Sequence, residues 1–343
     1  MQAMTNSNDI QETFKSASPQ FNYGGQAVIE GVMMRGSRAL AVAVRNPEGD
    51  IVVHTEPLSE KIYGGRVAHW PFVRGLTMLW DALGLGIKAL MFSAEVALEE
   101  ENEDGEEAKE PGKVFEGPLQ WGTVLFSLSF SILLFFVFPT FAARGLVTLF
   151  GWSEYHVLEN LIEGTIRLLL LIGYVWGIGL MPDIKRLYRY HGSEHKTINA
   201  YEAGEELTPE NVAKYPLEHP RCGTAFLLTV VVVSILIYSL FPPMELGLRI
   251  VSRLLLLPVI AGVAYEFLRF SAAHQDNTFI RWITKPNLAL QHLTTAEPDL
   301  SMLEVAITAF QQVVLYEQGE EVVPETAVLV EAPARNPAGH LAT

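Results

Sequence analysis

WGTVLFSLSFSILLFFVFPTFAA, Trp121 to Ala143, runs 23 positions without a charged side chain. The hydrocarbon core of a bilayer is about 30 Å thick and needs about 20 apolar residues as helix, so this stretch predicts a helix that crosses a membrane. Three further segments read the same way: Leu161–Met181, with Glu163 and Arg167 near its start; Gly223–Phe241, an uncharged Leu/Val/Ile run; and Ile250–Ala272. Buried helices of a soluble protein are the rival explanation, and four such segments in one chain argue against it. The expected fold is mainly α: a polytopic membrane helix bundle of about four spanning helices over residues 118–272, with a small N-terminal β-rich module and an interfacial helix.

Composition agrees. The 343 residues are 49% hydrophobic with a mean hydropathy of +0.22, a mixture that suits a bundle with soluble parts. The net charge of -15 owes much to one acidic run, Glu99–Glu110. No long basic stripe with interleaved aromatics is present, which argues against a nucleic-acid partner. Cys222 is the single cysteine, so no intramolecular disulfide is possible.

Orientation follows from Lys and Arg in the short loops. Residues 182–221, between the second and third spans, carry Lys185, Arg186, Arg189, Lys196, Lys214 and Arg221. The flanking turns carry only Arg144 and Arg249. The expectation is a multi-pass protein of the inner (plasma) membrane with loop 182–221 and both termini in the cytoplasm, and with the lipid bilayer as its first partner.

Outside the bundle, residues 1–21 and 321–343 read as disordered tails and residues 99–117 as an acidic linker. Residues 22–69 read as a cytoplasmic module. In it, Ala39–Val44 and Ile51–His54 form a hairpin around Asn46–Asp50, and Gln26–Met34 adds a strand. Its Glu30 and Arg35 are expected to form an internal ion pair, with a reach toward the membrane site as the alternative. In residues 70–98, Arg74, Asp81, Lys88 and Glu95 stand seven apart, which makes one narrow charged stripe on a helix. That suits a helix in the membrane interface or packed on the bundle; a fifth span is the alternative. Residues 273–320 form a cytoplasmic helical segment. There, Leu300, Leu303, Ile307, Phe310 and Val314 mark an amphipathic helix capped by Asp299 or Ser301.

Chemistry concentrates in His191-Gly192-Ser193-Glu194-His195. Histidines one turn apart share a helix face and can bind one zinc ion, and Glu194 beside them is a candidate base. The order H-x-x-E-H is that of the inverted zinc peptidases. Glu202 lies seven residues on. His219 and Cys222 make an H-x-x-C pair at the far end of the same loop, and Glu266 lies near the cytoplasmic end of the fourth span. Two designs stay open. His191, His195 and a carboxylate, Glu202 or Glu266, would leave a position for water that Glu194 activates, giving a metal-dependent hydrolase. His191, His195, His219 and Cys222 would close the shell of a structural zinc in a non-enzymatic membrane factor that binds a membrane protein partner. Glu163, Arg167, Arg253 and Glu266 are what a transporter would use, but no internal repeat accompanies them.

The chain resembles the YqhQ-like family, bacterial membrane proteins of undefined function often labelled predicted metal-dependent enzymes. The resemblance rests on GGQAVIEGVMMRG (Gly24–Gly36), HGSEHKTINAYE (His191–Glu202), HPRCGTAFLL (His219–Leu228), AGVAYEFLRF (Ala261–Phe270) and QHLTTAEP (Gln291–Pro298). It implies that His191, Glu194, His195, Glu202, His219, Arg221, Cys222 and Glu266 belong to the family pattern. Pro286-Asn287-Leu288 departs from the family's Pro-Gly-Leu.

Overall fold

The structure, a computed structural model, describes residues 23–59, 63, 70–98, 118–152, 154–242, 244–319 and 328–330. The expected N-terminal tail and acidic linker lie outside the described residues, as does the C-terminal tail apart from 328–330.

The N-terminal module is a meander of antiparallel strands in the order β1 (Gly24–Val28), β2 (Gly31–Arg35), β3 (Ala39–Arg45), β4 (Ile51–Pro57) and β5 (Val328–Val330). The single strand expected over Gln26–Met34 is two strands, folded back at Ile29-Glu30. Such a tight turn favours positive φ, and Glu30 adopts φ 52°. The β3–β4 hairpin has the expected loop, closed by Asn46 Oδ1 accepting from Asp50 N–H at 2.7 Å. The C-terminal tail is not wholly structureless: its Val328–Val330 pairs along β4.

Both faces of the sheet are covered, because β3 (ALAVAVR) is apolar at every inner position. Ala41 and Ala43 meet helical side chains on one side, while Leu40, Val42 and Val44 meet others on the opposite side. The first side takes α12 (Leu300–Gln318), which Asp299 caps by accepting the Met302 N–H at 3.0 Å. Its Met302, Val305, Ala306, Ala309, Phe310, Val313 and Val314 are buried there. Burying a side chain of this size contributes about 1.5–3 kcal/mol, so this amphipathic helix is committed to the sheet and is not an exposed docking surface.

The second side takes residues 74–98, a helix in three pieces: α1 (Arg74–Trp80), a π-helical turn (Asp81–Leu85) and α2 (Gly86–Leu98). Leu85, Ala89 and Val96 pack on Val28, Met33 and Leu40. Three of the four charges in the stripe face the protein, while Lys88 is exposed. Arg74 pairs with Glu266, Asp81 with Arg35 at 3.0 Å, Lys88 with Glu56 at 3.8 Å, and Glu95 is buried. Leu76, Trp80, Leu83, Ile87 and Leu90, spaced three and four apart, point outward and are exposed.

The helical part differs from the expected four spans. Two described helices are long and apolar enough to cross a membrane, Gly122–Leu149 and His156–Ile178, and a bent pair brings the count to three. The first is α3 (Pro118–Ile132) and α4 (Phe138–Leu149) joined by a π-helical turn at Leu133–Val137. Pro139 explains the turn: it has no N–H and crowds the carbonyl four residues back. That carbonyl, Phe135 O, instead accepts from Arg167 Nε at 2.9 Å. The second is α5 (His156–Ile178). Next come α6 (Pro182–Glu202), the short α7 (Pro209–Val212) and α8 (Gly223–Ser239), whose 17 residues rise about 25 Å. The expected fourth span is two helices, α9 (Leu246–Leu255) and α10 (Leu257–Ala273), meeting at 45° where Pro258 interrupts the hydrogen-bond ladder. Then α11 (Thr278–Thr294) packs on α8, with Asn287 Nδ2 donating to Thr229 Oγ1 at 3.1 Å. Outward faces are apolar: Leu125, Phe126, Leu133 and Phe141 of α3–α4, and Leu169 and Trp176 of α5, are exposed.

Candidate metal centre

The site lies where α6, the turn entering α8 and the end of α11 meet the edge strand β1. His191 and His195 occupy successive turns of α6, and their ring centroids are 4.4 Å apart. Each ring is oriented by a backbone carbonyl. His191 Nδ1 lies 2.9 Å from Thr294 O, and His195 Nδ1 contacts Leu217 O. A carbonyl only accepts, so both Nδ1 atoms carry the proton and both Nε2 lone pairs point inward, as metal-binding imidazoles require.

Cys222, the N-cap of α8, meets those lone pairs. Its Sγ is 3.3 Å from His191 Nε2. Donor atoms of His191, His195 and Cys222 all lie within 4.8 Å of one another. Glu194 Oε2 sits 3.7 Å from His191 Nε2 and 4.0 Å from His195 Nε2. With metal–ligand bonds of about 2.0–2.3 Å, tetrahedral donors stand about 3.3–3.8 Å apart, close to these separations. The surroundings are sealed: Glu194, His195 and Cys222 are 4%, 0% and 4% exposed. Glu194 Oε2 and His195 Nε2 have no hydrogen-bond partner among the described residues. Leaving a buried polar atom unsatisfied costs about 1–3 kcal/mol, so two such atoms converging on one point fit a zinc-like ion.

The cluster's members are electrostatically coupled. Burial pulls the His191 imidazole down, yet the Cys222 sulfur, Glu194 and the Thr294 carbonyl together offset this and lift it to about 9, so a proton held between His191 and Cys222 is what a bound metal would displace. Burial pushes the Cys222 thiol up, but His191 and His195 hold it well below the usual thiol range, toward the thiolate that binds metals. Burial raises the Glu194 carboxyl against the pull of both imidazoles. Burial, then the charge of His195, holds His219 well below the ordinary histidine value.

Several motif residues serve this arrangement without touching it as donors. Gly25 brings its backbone against the Glu194 side chain, where it helps hold the carboxyl down, and a Cβ there would stand 2.4 Å from Met33 O and 3.0 Å from Glu194 Cγ. Only glycine lets β1 come this close. At Gly192 a Cβ would lie 2.3 Å from Ala296 O, so α6 and the segment after α11 meet there. Gln291, fully buried, grips the turn that carries Cys222: its Oε1 accepts from His219 N–H at 2.9 Å and its Nε2 donates to His219 O at 2.8 Å.

The remaining candidates are elsewhere. His219 is a neighbour, its ring centroid 5.7 Å from that of His195, but it is outside the three-donor group. Glu202 is held by Arg221, and its carboxylate comes only within 4.0 Å of His219. Glu266 is not brought to the cluster at all; it pairs with Arg74 and accepts the Phe72 N–H at 3.0 Å. The expected ion pair within the first module is also absent. Glu30 pairs with Arg186 of α6 and Arg35 with Asp81, and neither reaches the cluster. Of the loop's basic residues, Lys196 is buried and pairs with Glu297, Arg189 and Arg221 are half-buried and pair with Asp299 and Glu202, and Lys185, Arg186 and Lys214 are exposed. What sequence reading missed is the supporting ring of Gly25, Gln291 and Thr294; the signal was that they sit in the quoted motifs.

Fold and site together define a mainly helical protein with apolar helices long enough to cross a membrane, a small antiparallel sheet, and a buried His/Cys/Glu cluster at their junction. A family model described as "Protein of unknown function (DUF1385)" matches residues 70–316. The chain is 36% identical over 299 residues to the "Uncharacterized protein YqhQ" of Bacillus subtilis (strain 168), covering 86% of this chain and 93% of that one. The chain belongs to this YqhQ-like bacterial family. No solved structure matches it.

Proposed function

We propose that this is a multi-pass inner-membrane protein with both termini in the cytoplasm, and that a divalent metal, zinc by its donor set, fastens its cytoplasmic sheet to its membrane helices. The reading rests on one observation: the Nε2 lone pairs of His191 and His195, the Cys222 sulfur and the free Oε2 of Glu194 converge in a buried space. His191, His195 and Cys222 are three ligands, and Glu194 completes the shell. In this arrangement the metal is structural, and the protein serves as a membrane factor that presents surface to a partner. The exposed row Leu76, Trp80, Leu83, Ile87 and Leu90 lies in the bilayer interface, its rear face held by the sheet.

A second reading, a metal-dependent hydrolase, is favoured by one detail. Glu194 Oε2 accepts nothing among the described residues, as a base reserved for a metal-bound water would. The metal would then supply a water of lowered pKa, and Glu202 and Glu266 are too far engaged elsewhere to complete the set.

The test is the metal content of detergent-purified protein by elemental mass spectrometry. Wild type should carry about one zinc per chain, and the His191→Ala/His195→Ala double variant should carry none. Glu194→Gln separates the readings. As fourth ligand, its loss weakens zinc retention against a chelator at least tenfold; as base, it leaves retention unchanged. Wild type free of metal after reloading would sink both.

A further inference from the structure

At the end of the bundle opposite the His/Cys cluster, where α4 and α8 end and α5 and α9 begin, lies a cavity of about 300 Å³. Arg249 and Arg253 line it, 6% and 1% exposed, and Arg144 stands exposed at its mouth beside His156 and Glu245. Behind it Glu163 is gripped by three guanidiniums: Arg167 at 2.9 Å, Arg249 at 3.0 Å and Arg253 at 3.0 Å. Arg249 also pairs with Glu159. Asn160 Oδ1 accepts from Arg249 at 2.8 Å and Arg253 at 2.9 Å, and the Tyr238 ring lies 3.9 Å beneath Arg253.

The charges do not balance. Three buried guanidiniums face two carboxylates, Glu159 and Glu163, which leaves one positive charge. At the mouth Arg144 and Glu245 cancel. Arg249 Nε has no acceptor among the described residues. An uncompensated buried charge costs several kcal/mol, and here it borders an open cavity. Planar guanidinium forks match the oxygens of phosphate in paired hydrogen bonds. The turn around the mouth exposes Phe150, Trp152 and Tyr155, side chains that favour the headgroup level of a bilayer.

We infer that this cavity binds a phosphate-bearing anion, with Arg249, Arg253 and Arg144 as its donors. A lipid headgroup phosphodiester and free phosphate share this chemistry; the aromatic rim favours the lipid.

The experiment is calorimetric titration of the full-length, detergent-purified protein with short-chain phosphatidylglycerol, with phosphatidylcholine of equal chain length, and with inorganic phosphate. Saturable binding near one site per chain is expected for phosphatidylglycerol, for phosphate, or for both. Phosphatidylglycerol alone identifies the lipid as source, and phosphate alone identifies the free ion. Arg144→Gln, at the exposed mouth and outside the buried network, should weaken binding about tenfold. Arg249→Lys, which keeps the charge and removes the fork, should weaken it further. Three results overturn the inference: no saturable binding by folded wild type, equal binding of the two lipids with phosphate silent, or unchanged affinity in Arg144→Gln. The last decides alone if Arg249→Lys does not fold.

Discussion

Gln291→Met isolates the clamp on the turn that presents Cys222. Methionine has similar length and no amide, so the packing volume is kept while both hydrogen bonds to His219 are removed. The His219 N–H is then left buried without an acceptor, at about 1–3 kcal/mol. The His219 carbonyl keeps the Cys222 N–H at 3.3 Å, so only one bond's net worth is lost there, about 0.5–1.5 kcal/mol. The turn should be destabilised locally by about 1.5–4.5 kcal/mol. Cys222 is the single cysteine and is 4% exposed, so its labelling by a maleimide reports the opening of this turn and nothing else. With opening fast relative to labelling, the rate follows the opening equilibrium, and the predicted increase is roughly 10- to 1,000-fold at 1.4 kcal/mol per decade. The measurement is made in chelator, so that a metal on the sulfur does not mask the thiol. A labelling rate within threefold of wild type would refute the clamp, whatever the variant's global melting temperature.

Other outcomes follow from single contacts. Phe310→Ala removes the ring that lies 5.0 Å from Tyr23 and 4.7 Å from Tyr201 beneath the sheet; it should cost about 3–5 kcal/mol in denaturant unfolding, and a cost under 1 would show that α12 is not part of the core. Asp299→Ala should cost about 1 kcal/mol by uncapping α12. Burial opposes ionisation of Asp299, but the Ser301 hydroxyl, the Met302 N–H and Arg189 hold its carboxyl below the usual range. Because the folded value is the lower one, that stabilisation is present above the unfolded value near 3.9 and is lost as pH falls through the folded value. Variant and wild type should therefore converge in strong acid, and a gap that widens there contradicts the sign. Gly192→Ala should cut metal content to less than half of wild type, since Ala296 O is backbone and cannot yield, while Gly177→Ala, with open space around it, should leave content unchanged.

Local chemistry made some of this legible in advance. The β3–β4 hairpin announced itself through two β-rich runs joined at Asn46–Asp50, and α12 through its apolar spacing and the Asp299 cap. The pairing of His191 with His195 followed from helical geometry alone. Hydropathy, in contrast, counts apolar residues and does not see a proline's missing donor, so the joint at Pro258 and the π turn before Pro139 were invisible to it. The stripe Arg74, Asp81, Lys88 and Glu95 was read correctly as one face, but periodicity does not say which way a face points. Its partners Glu266, Arg35 and Glu56 are distant in sequence, and only folding shows that Arg74, Asp81 and Glu95 turn inward while Leu76, Leu83 and Leu90 turn outward. For the same reason Glu266 was a reasonable ligand by topology: it does lie on a bundle helix, but Arg74 reaches it first.

The position of the His/Cys cluster says what the motifs have in common. Gly25 reaches Glu194 from the sheet, His191 and His195 come from α6, Cys222 opens α8, and Thr294 ends α11. Four stretches of the chain, the first and last separated by 269 positions, each put an atom within contact of one small space. The fifth, Ala261–Phe270, does not. Its Gly262 packs against the segment at Phe72, where a Cβ would lie 2.7 Å from Phe72 O, and its Glu266 takes Arg74. That makes it a second seam between the same two bodies, since α1 continues into α2 on the back of the sheet. A sheet held to a bundle by one seam can swing about it; held by two on opposite faces it cannot. The Arg74–Glu266 pair is partly exposed, where an ion pair contributes about 0–1 kcal/mol, so that seam rests mainly on the close backbone packing of Gly75 and Phe72 against Gly262. On the proposed function, removing the metal should loosen the other seam, between sheet and apolar helices, while leaving each of them folded.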